Sequence, residues 1–83
     1  MPQVTYYVVL PFIRGTDGDL IAIEAVEAPT EGSAKRRAAS WALTPEVVGA
    51  IAFSRTGDPS MGDFADAVIL GRYGETPEDV EFG

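Results

Sequence analysis

The chain has 83 residues, of which 13 are acidic and 6 are basic, so its formal net charge is −7. This length predicts one folding unit, and a hydrophobic content of 46% predicts that the unit folds rather than staying disordered. The negative charge disfavours nucleic acid and anionic membrane surfaces as partners, because their phosphate groups repel it. Cysteine and histidine are both absent, which excludes disulfides, thiolate zinc sites and imidazole acid–base catalysis.

The start of the chain bears on its location. Met1, Pro2 and Gln3 lack the basic start and apolar core of a signal peptide. No apolar run approaches the roughly 20 residues that span a bilayer. We therefore expect a cytoplasmic protein that does not insert into a membrane.

The first third of the chain predicts a β-hairpin. Residues 4–12 are rich in Val, Tyr and Leu, and residues 20–27 alternate in the way a returning strand does. Between them, Gly18 follows an aspartate in a step that supplies the positive φ of a tight turn. Pro11 has no backbone donor, so we expect the neighbouring ladder to stop there or the strand to lie at a sheet edge.

A helix is predicted from Thr30 to Leu43. The Thr30 side chain is suited to capping the first free amides, and the residues that follow are mostly strong helix formers. The apolar stripe of this helix is narrow and consists of Ala34, Ala38, Trp41 and Ala42. Because Trp41 is the only large residue of the stripe, we expect it to pack against the sheet.

The second half predicts two further strands, at residues 47–54 and 67–73. The loop at 55–66 contains an Asp-Pro-Ser-Met sequence typical of a short helical turn. The expected fold is therefore α+β, with the order β-β-α-β-β, a four-stranded antiparallel sheet and one helix packed on one face. We expect one domain over residues 1–74, followed at residues 75–83 by a frayed acidic tail.

One family resemblance is present in the first half of the chain. A strand, an Asp-Gly turn, a second strand and then Thr-Glu-Gly-Ser-Ala at residues 30–34 lead into a helix that contains Ala38. This arrangement resembles the β-β-α front of HicB-type antitoxin domains over about half of the chain. The resemblance implies an antitoxin-like regulator as one alternative function, although the chain lacks the DNA-binding segment that those antitoxins often carry.

A candidate interaction surface follows from counting the faces of the sheet. One helix covers one face, so the apolar residues on the other face should bind a second copy of the chain, which favours a homodimer. A groove-binding partner, or a short tail that folds back through Val80 and Phe82, is the alternative. Two arginines each follow a strand Phe by two residues and should project on the same side as that Phe, where they would bind an anion or pair with Asp17 and Asp58 in their own loops. The candidate surface consists of Tyr7, Val9, Ile13, Arg14 and Arg55.

The charged residues offer weaker candidates. Lys35, Arg36 and Arg37 form a candidate basic patch, or alternatively an ordinary solvated helix face, and we expect no specific binding to nucleic acid. A metal ion would have to draw on the loop carboxylates of Asp58, Asp63 and Asp66, which are more typical of a solvated loop.

No catalytic, cofactor-binding or metal-binding residue is predicted. The functional expectation is a small acidic binding or assembly module that is not an enzyme and acts through its exposed sheet face. A metal-dependent small-molecule binder or enzyme that uses the loop carboxylates is the alternative from a different class.

Overall fold

The computed structural model describes residues 3–78, which form one antiparallel sheet and one helix. The fold is α+β, as predicted. The sheet has six strands rather than the expected four, and their order is β2-β1-β4-β5, with β3 also paired to β1 and β6 also paired to β4. The elements are β1 (Val4–Arg14), β2 (Leu20–Ala22), β3 (Val26–Ala28), α1 (Glu31–Trp41), β4 (Gly49–Asp58), β5 (Asp63–Phe64) and β6 (Val68–Gly74).

The two long central strands, β1 and β4, organise the sheet. They pair without interruption from Val4 opposite Gly57 to Phe12 opposite Gly49. Both strands are longer than predicted, and β4 runs through the first residues of the expected loop. β4 extends this far because its residues still pair with the start of β1. Thr56 lies opposite Thr5, and their hydroxyl oxygens are 2.8 Å apart.

Pro11 explains why the second predicted strand is split into β2 and β3. It lies inside β1, fully buried, and its carbonyl accepts a hydrogen bond from the amide of Ile23. In an antiparallel strand the N–H and C=O of one residue point the same way, so the missing N–H of Pro11 also faces this neighbour. The ladder is interrupted at residues 23–25, which confirms the first of the two expectations for Pro11.

The fourth predicted strand corresponds to β6, and the additional short strand β5 lies within the predicted loop. The break at residues 65–67 lies between the pairing of Phe64 with Gly57 and that of Val68 with Ser54. The β4–β6 ladder also shifts register once, between Ala52 and Phe53. The extra residue there, Leu70, packs towards the helix.

Helix α1 begins as predicted and ends two residues earlier. Thr30 is its N-cap, and the Thr30 side chain and backbone exchange hydrogen bonds with Ser33 in a capping box. The amide of Leu43 bonds back to Ser40 and that of Thr44 to Trp41, which closes the helix in tight three-residue turns. Leu43 is therefore outside the helix and 87% exposed.

The sheet has two different faces, and the helix packs on the one with small side chains. This helix-covered face contributes Tyr7, Val9, Ala28, Ala50 and Ala52, which pack with Ala34 and Ala38 of α1. Trp41 is half-buried against the same cluster, as expected. The opposite, helix-free face contributes Val8, Leu10, Phe12, Ile51 and Phe53.

Residues 75–78 turn back from the end of β6 and are held against the sheet rather than frayed. Gly74 has φ +71° at the turn, and the amide of Glu75 donates to the carbonyl of Val48. The Glu75 carboxylate forms an ion pair of 2.6 Å with Arg14, and the carbonyl of Pro77 accepts from the Arg72 guanidinium at 2.7 Å. The rest of the predicted tail, residues 79–83, lies outside the described residues.

Replacing Trp41 tests the docking of the helix. Trp41→Ala should lower the free energy of unfolding by about 3 kcal/mol, at the low end for such a change because the side chain is half-buried. The matched control Leu43→Ala, at an exposed position two residues on, should change it by less than about 0.5 kcal/mol. Urea unfolding of both variants measures the difference, and equal effects would mean that Trp41 does not anchor the helix.

Gly49 tests the contact between β4 and the turned-back chain. A Cβ on Gly49 would collide with backbone atoms of Glu75, which have little freedom to move aside. Gly49→Ala should therefore be strongly destabilising. The control Gly32→Ala meets only the flexible end of Arg36 in α1 and should be neutral or stabilise by up to about 1 kcal/mol. Thermal melts that show two equal shifts would contradict the close approach of Glu75.

Candidate functional site: a groove on the helix-free face

The structure separates the residues predicted to form one interaction surface. Tyr7 and Val9 lie beneath α1, and Val9 has no exposed surface, so these two are not on the open side of the sheet. The reason is the size of their neighbours: small residues on this face, such as Ala50 and Ala52, let the helix backbone approach closely. Ile13 is half-buried and, by strand alternation, lies on the same side as Tyr7 and Val9.

Arg14 and Arg55 do lie on the helix-free face, on the side of Phe12 and Phe53 as predicted. They are at opposite ends of the sheet, however, because Arg55 pairs with Tyr6 whereas Arg14 lies eight residues further along β1. Arg14 donates to the carbonyl of Gly18 at 2.7 Å and to Glu75, rather than to Asp17. The two arginines therefore cannot bind one small anion together.

A groove opens at the Arg55 end of the helix-free face. Its volume is about 280 Å³. The Tyr6 and Phe64 rings are tilted against each other with centroids 5.9 Å apart, and the Arg55 guanidinium lies 5.8 Å from the centre of the Phe64 ring. The residues that line the groove are Tyr6, Val8, Glu27, Arg55 and Phe64.

Strand register brings these five side chains together. Tyr6 and Val8 are alternate residues of β1, so both point to the helix-free face. Arg55 pairs with Tyr6 on one side of β1, and Glu27 pairs with Val8 on the other. Phe64 comes from the short strand β5, beyond β4. The groove is thus an apolar surface with a cation and an anion on opposite flanks.

This composition favours binding over chemistry. The aromatic rings and Val8 provide an apolar floor, and the Arg55 guanidinium is stacked on Phe64 at its edge. Sequence reasoning identified Arg55 but missed Phe64, which fell in a predicted loop, and Glu27. The sequence analysis places Tyr7 and Val9 on the exposed surface, whereas the groove takes Tyr6 and Val8 from the other face of β1.

The loop acids do not assemble a metal site. No group of three or more acidic side chains that would hold a metal ion occurs within residues 3–78. The Asp58 carboxylate instead accepts from the hydroxyl and the amide of Ser60, at 2.6 and 2.9 Å. The Ser60 hydroxyl, followed by its backbone amide, lowers the pKa of Asp58 below its usual value. Asp58 therefore has a structural role at the β4–β5 turn.

The candidate basic patch is divided in the structure. Lys35 forms an ion pair with Glu31 one turn earlier, at 3.1 Å, while Arg36 and Arg37 are exposed on the helix. These residues lie on α1, on the other side of the sheet from the groove. Separately, none of the helices in the described part of the chain is long and apolar enough to cross a membrane.

The Asp58–Ser60 contact has a measurable pH signature. Ser60→Ala removes the largest cause of the lowered pKa, so the Asp58 pKa should rise towards its ordinary value. Because the pKa of Asp58 is lower in the folded protein than the value of about 3.9 in the unfolded chain, its ionised form stabilises the fold at pH values above about 3.9. This stabilisation is lost as the pH falls through the pKa that Asp58 has in the folded protein. The variant should therefore be less stable than the native chain at pH 6 and equally stable at the lowest pH.

An NMR titration of the Asp58 carboxyl measures this shift directly. Ser60→Thr keeps the hydroxyl and is the control that should retain the low pKa. A Ser60→Ala variant with an unchanged Asp58 titration would contradict the role assigned to the hydroxyl.

Comparisons with protein-family models, with curated proteins and with solved structures give no match to this chain. The resemblance to HicB-type antitoxin domains therefore gains no support from them. Function has to be argued from the groove itself.

Proposed function

We propose that this chain is a binding module, not an enzyme, and that it binds a protein partner in the groove on its helix-free face. The observation that supports this proposal is the apolar groove between Tyr6 and Phe64 with a charged residue on each flank. Exposed apolar surface of this kind is costly in water unless a partner covers it. The volume of the groove lies just below the roughly 300–1,000 Å³ of sites that bind drug-sized ligands. A groove of this size suits one large side chain of a peptide.

The flanking charges define the partner more closely. An extended segment that places an apolar side chain between Tyr6 and Phe64 would bring its neighbouring residues towards Arg55 on one side and Glu27 on the other. A carboxylate next to the apolar residue would interact favourably with Arg55. We therefore propose an extended protein segment with an apolar residue adjacent to an acidic one as the preferred ligand.

We also propose that the chain forms a homodimer, although less apolar surface is exposed for it than the sequence analysis expects. Phe12, Ile51 and Phe53, which lie on the helix-free face, are at most 6% exposed in the structure. The apolar area left for a second copy on this face is that of the groove together with exposed residues such as Ile69, which pairs with Phe53. A cytoplasmic location is also part of the proposal, and the absence of cysteine is compatible with a reducing compartment.

Selection from a displayed library of random peptides tests this proposal without knowledge of the natural partner. Peptides enriched on the native protein should share an apolar residue next to an acidic one. Val8→Lys should weaken their binding at least tenfold, because it places a charge on the floor of the groove. The control Val68→Lys changes a valine of β6 that is 59% exposed and does not line the groove, and it should leave binding unchanged.

Phe64→Ala provides a second variant, since it removes one wall of the groove at a residue that is only half-buried. Trp41 fluorescence and a thermal melt establish that each variant is folded. Peptides that bind the native, Val8→Lys and Phe64→Ala proteins equally would show that the groove is not the binding site.

A further inference from the structure

We propose that two copies of this chain pair edge to edge through β2, so that their sheets join into one continuous sheet. This inference deepens the proposed homodimer, because it names the surface through which the second copy binds. It does not depend on the groove, whose lining residues come from other strands.

β2 is an open edge of the described sheet. It is the terminal strand of the sheet order, and β1 is its partner. Just after β2, the amide of Ile23 donates to the carbonyl of Pro11 in β1. Since residues of an antiparallel strand alternate between bonding to one neighbour and facing the other side, Leu20 and Ala22 direct their N–H and C=O groups away from β1. These groups are therefore positioned to pair with a further strand.

The side chains along this edge are apolar, and two of them are exposed to an unusual degree for isoleucine. Residues 20–23 contain no charged side chain, and Ile21 and Ile23 are 45% and 39% exposed. Ile21 pairs with Ile13, so it lies on the same side of the sheet as α1. In the described part of the chain, however, α1 contacts β1, β3, β4 and β6 but not β2. The helix therefore leaves the isoleucines of this edge uncovered.

The opposite edge of the sheet is protected against such pairing. β6 contains the register shift beside Leu70 and carries the charged residue Arg72. Bulges and charged side chains are two of the features that keep edge strands from pairing with other chains. β2 has neither, because its register with β1 is regular and its three residues are apolar. Of these two edges, β2 is thus the better template for strand addition.

A second copy fits this edge in a specific register. Two antiparallel strands related by a two-fold axis must join residues whose backbone groups point outward, and Ala22 opposite Ala22 meets this requirement. Ile21 of each copy then lies opposite Ile23 of the other, so that four isoleucine side chains cover one another. The neighbouring register, with Ile21 opposite Ile21, would instead place Ile23 opposite Asp19. Side-chain chemistry therefore favours the pairing centred on Ala22.

The same register brings opposite charges together. Glu24 would lie opposite Leu20 of the second copy, and Leu20 pairs with Arg14 in its own sheet. Glu24 and the second copy's Arg14 would thus be on one face, two strand spacings or roughly 10 Å apart between Cα atoms, which their long side chains can bridge. The Arg14 guanidinium contacts Gly18 and Glu75 and has further N–H donors to offer. This charge complementarity favours a second copy over an unrelated strand.

Disulfide cross-linking tests the edge contact and its register. Because the chain has no cysteine, Ala22→Cys introduces a single thiol. In the proposed register the two Cα atoms at this position are roughly 5.5 Å apart, which a disulfide can span. Oxidation with diamide should convert most of this variant to a covalent dimer, whereas the control Val68→Cys, at an exposed position of β6, should stay monomeric. No cross-link at position 22, or equal cross-linking of both variants, would overturn the proposal.

Light scattering after size exclusion tests the native chain. The paired segment is short, so the dimer should be weak, and the measurement extends to several hundred micromolar. The native chain should approach twice the monomer mass, whereas Ile23→Lys should stay monomeric because it places a charge among the isoleucines. Val68→Lys is the matched control and should dimerise like the native chain, and thermal melts establish that both variants are folded. A native chain that stays monomeric throughout, or an Ile23→Lys variant that still dimerises, would contradict the edge contact.

Peptide binding separates this inference from the proposed role of the groove. Ile23→Lys should bind the selected peptides as tightly as the native chain does, since Ile23 does not line the groove. Cross-linking at position 22 without any peptide binding would support the edge contact while refuting the proposed groove ligand. Peptide binding without cross-linking would do the reverse.

Discussion

The close approach of helix and sheet is the constraint on which the rest of this structure depends. Ala34 and Ala38 have no exposed surface and meet Ala50 and Ala52 across the interface. Small residues on both sides let the two backbones come close, so that dispersion contacts are made over the full length of the seam. Because β4 alternates, its large residues, Ile51 and Phe53, are then forced to the other face. That alternation gives the β4 part of the helix-free face its apolar character, beside the groove that Tyr6, Val8 and Phe64 form.

The interruptions of the outer strands follow from a different constraint, the backbone of the two central strands. Pro11 offers no donor towards its neighbour, so the outer strand can pair only above and below it. One consequence is positional, because β3 resumes in a register that pairs Val8 with Glu27. The proline thus influences where an acid lies beside the groove, although it is not itself part of the groove.

Much of the fold could be predicted from the sequence, because its signals are local. The Asp-Gly turn, the Thr30 cap, the helix and the approximate positions of the strands other than β5 depend on neighbouring residues, and so does the gap opposite Pro11. The groove could not be predicted in this way. It depends on register between strands more than 40 residues apart, and on Phe64, whose two-residue strand carries no periodic signal. The sequence analysis also misplaces the helix on the sheet, because both faces of β1 are apolar. Only β4, with small side chains on one face and large ones on the other, indicates which face the helix covers.

The long separation between β1 and β4 has a consequence for synthesis of the chain. β1 is made first, yet the strand that forms its longest ladder begins at Gly49, and the backbone that contacts Gly49 comes later still, at Glu75. During translation the initial hairpin therefore leaves the ribosome with both apolar sides bare and one edge unpaired. Non-local pairing of this kind makes folding slow compared with a helical domain of similar size. The protein is thus most exposed to aggregation before its second half has emerged, while its apolar strands still lack their partners.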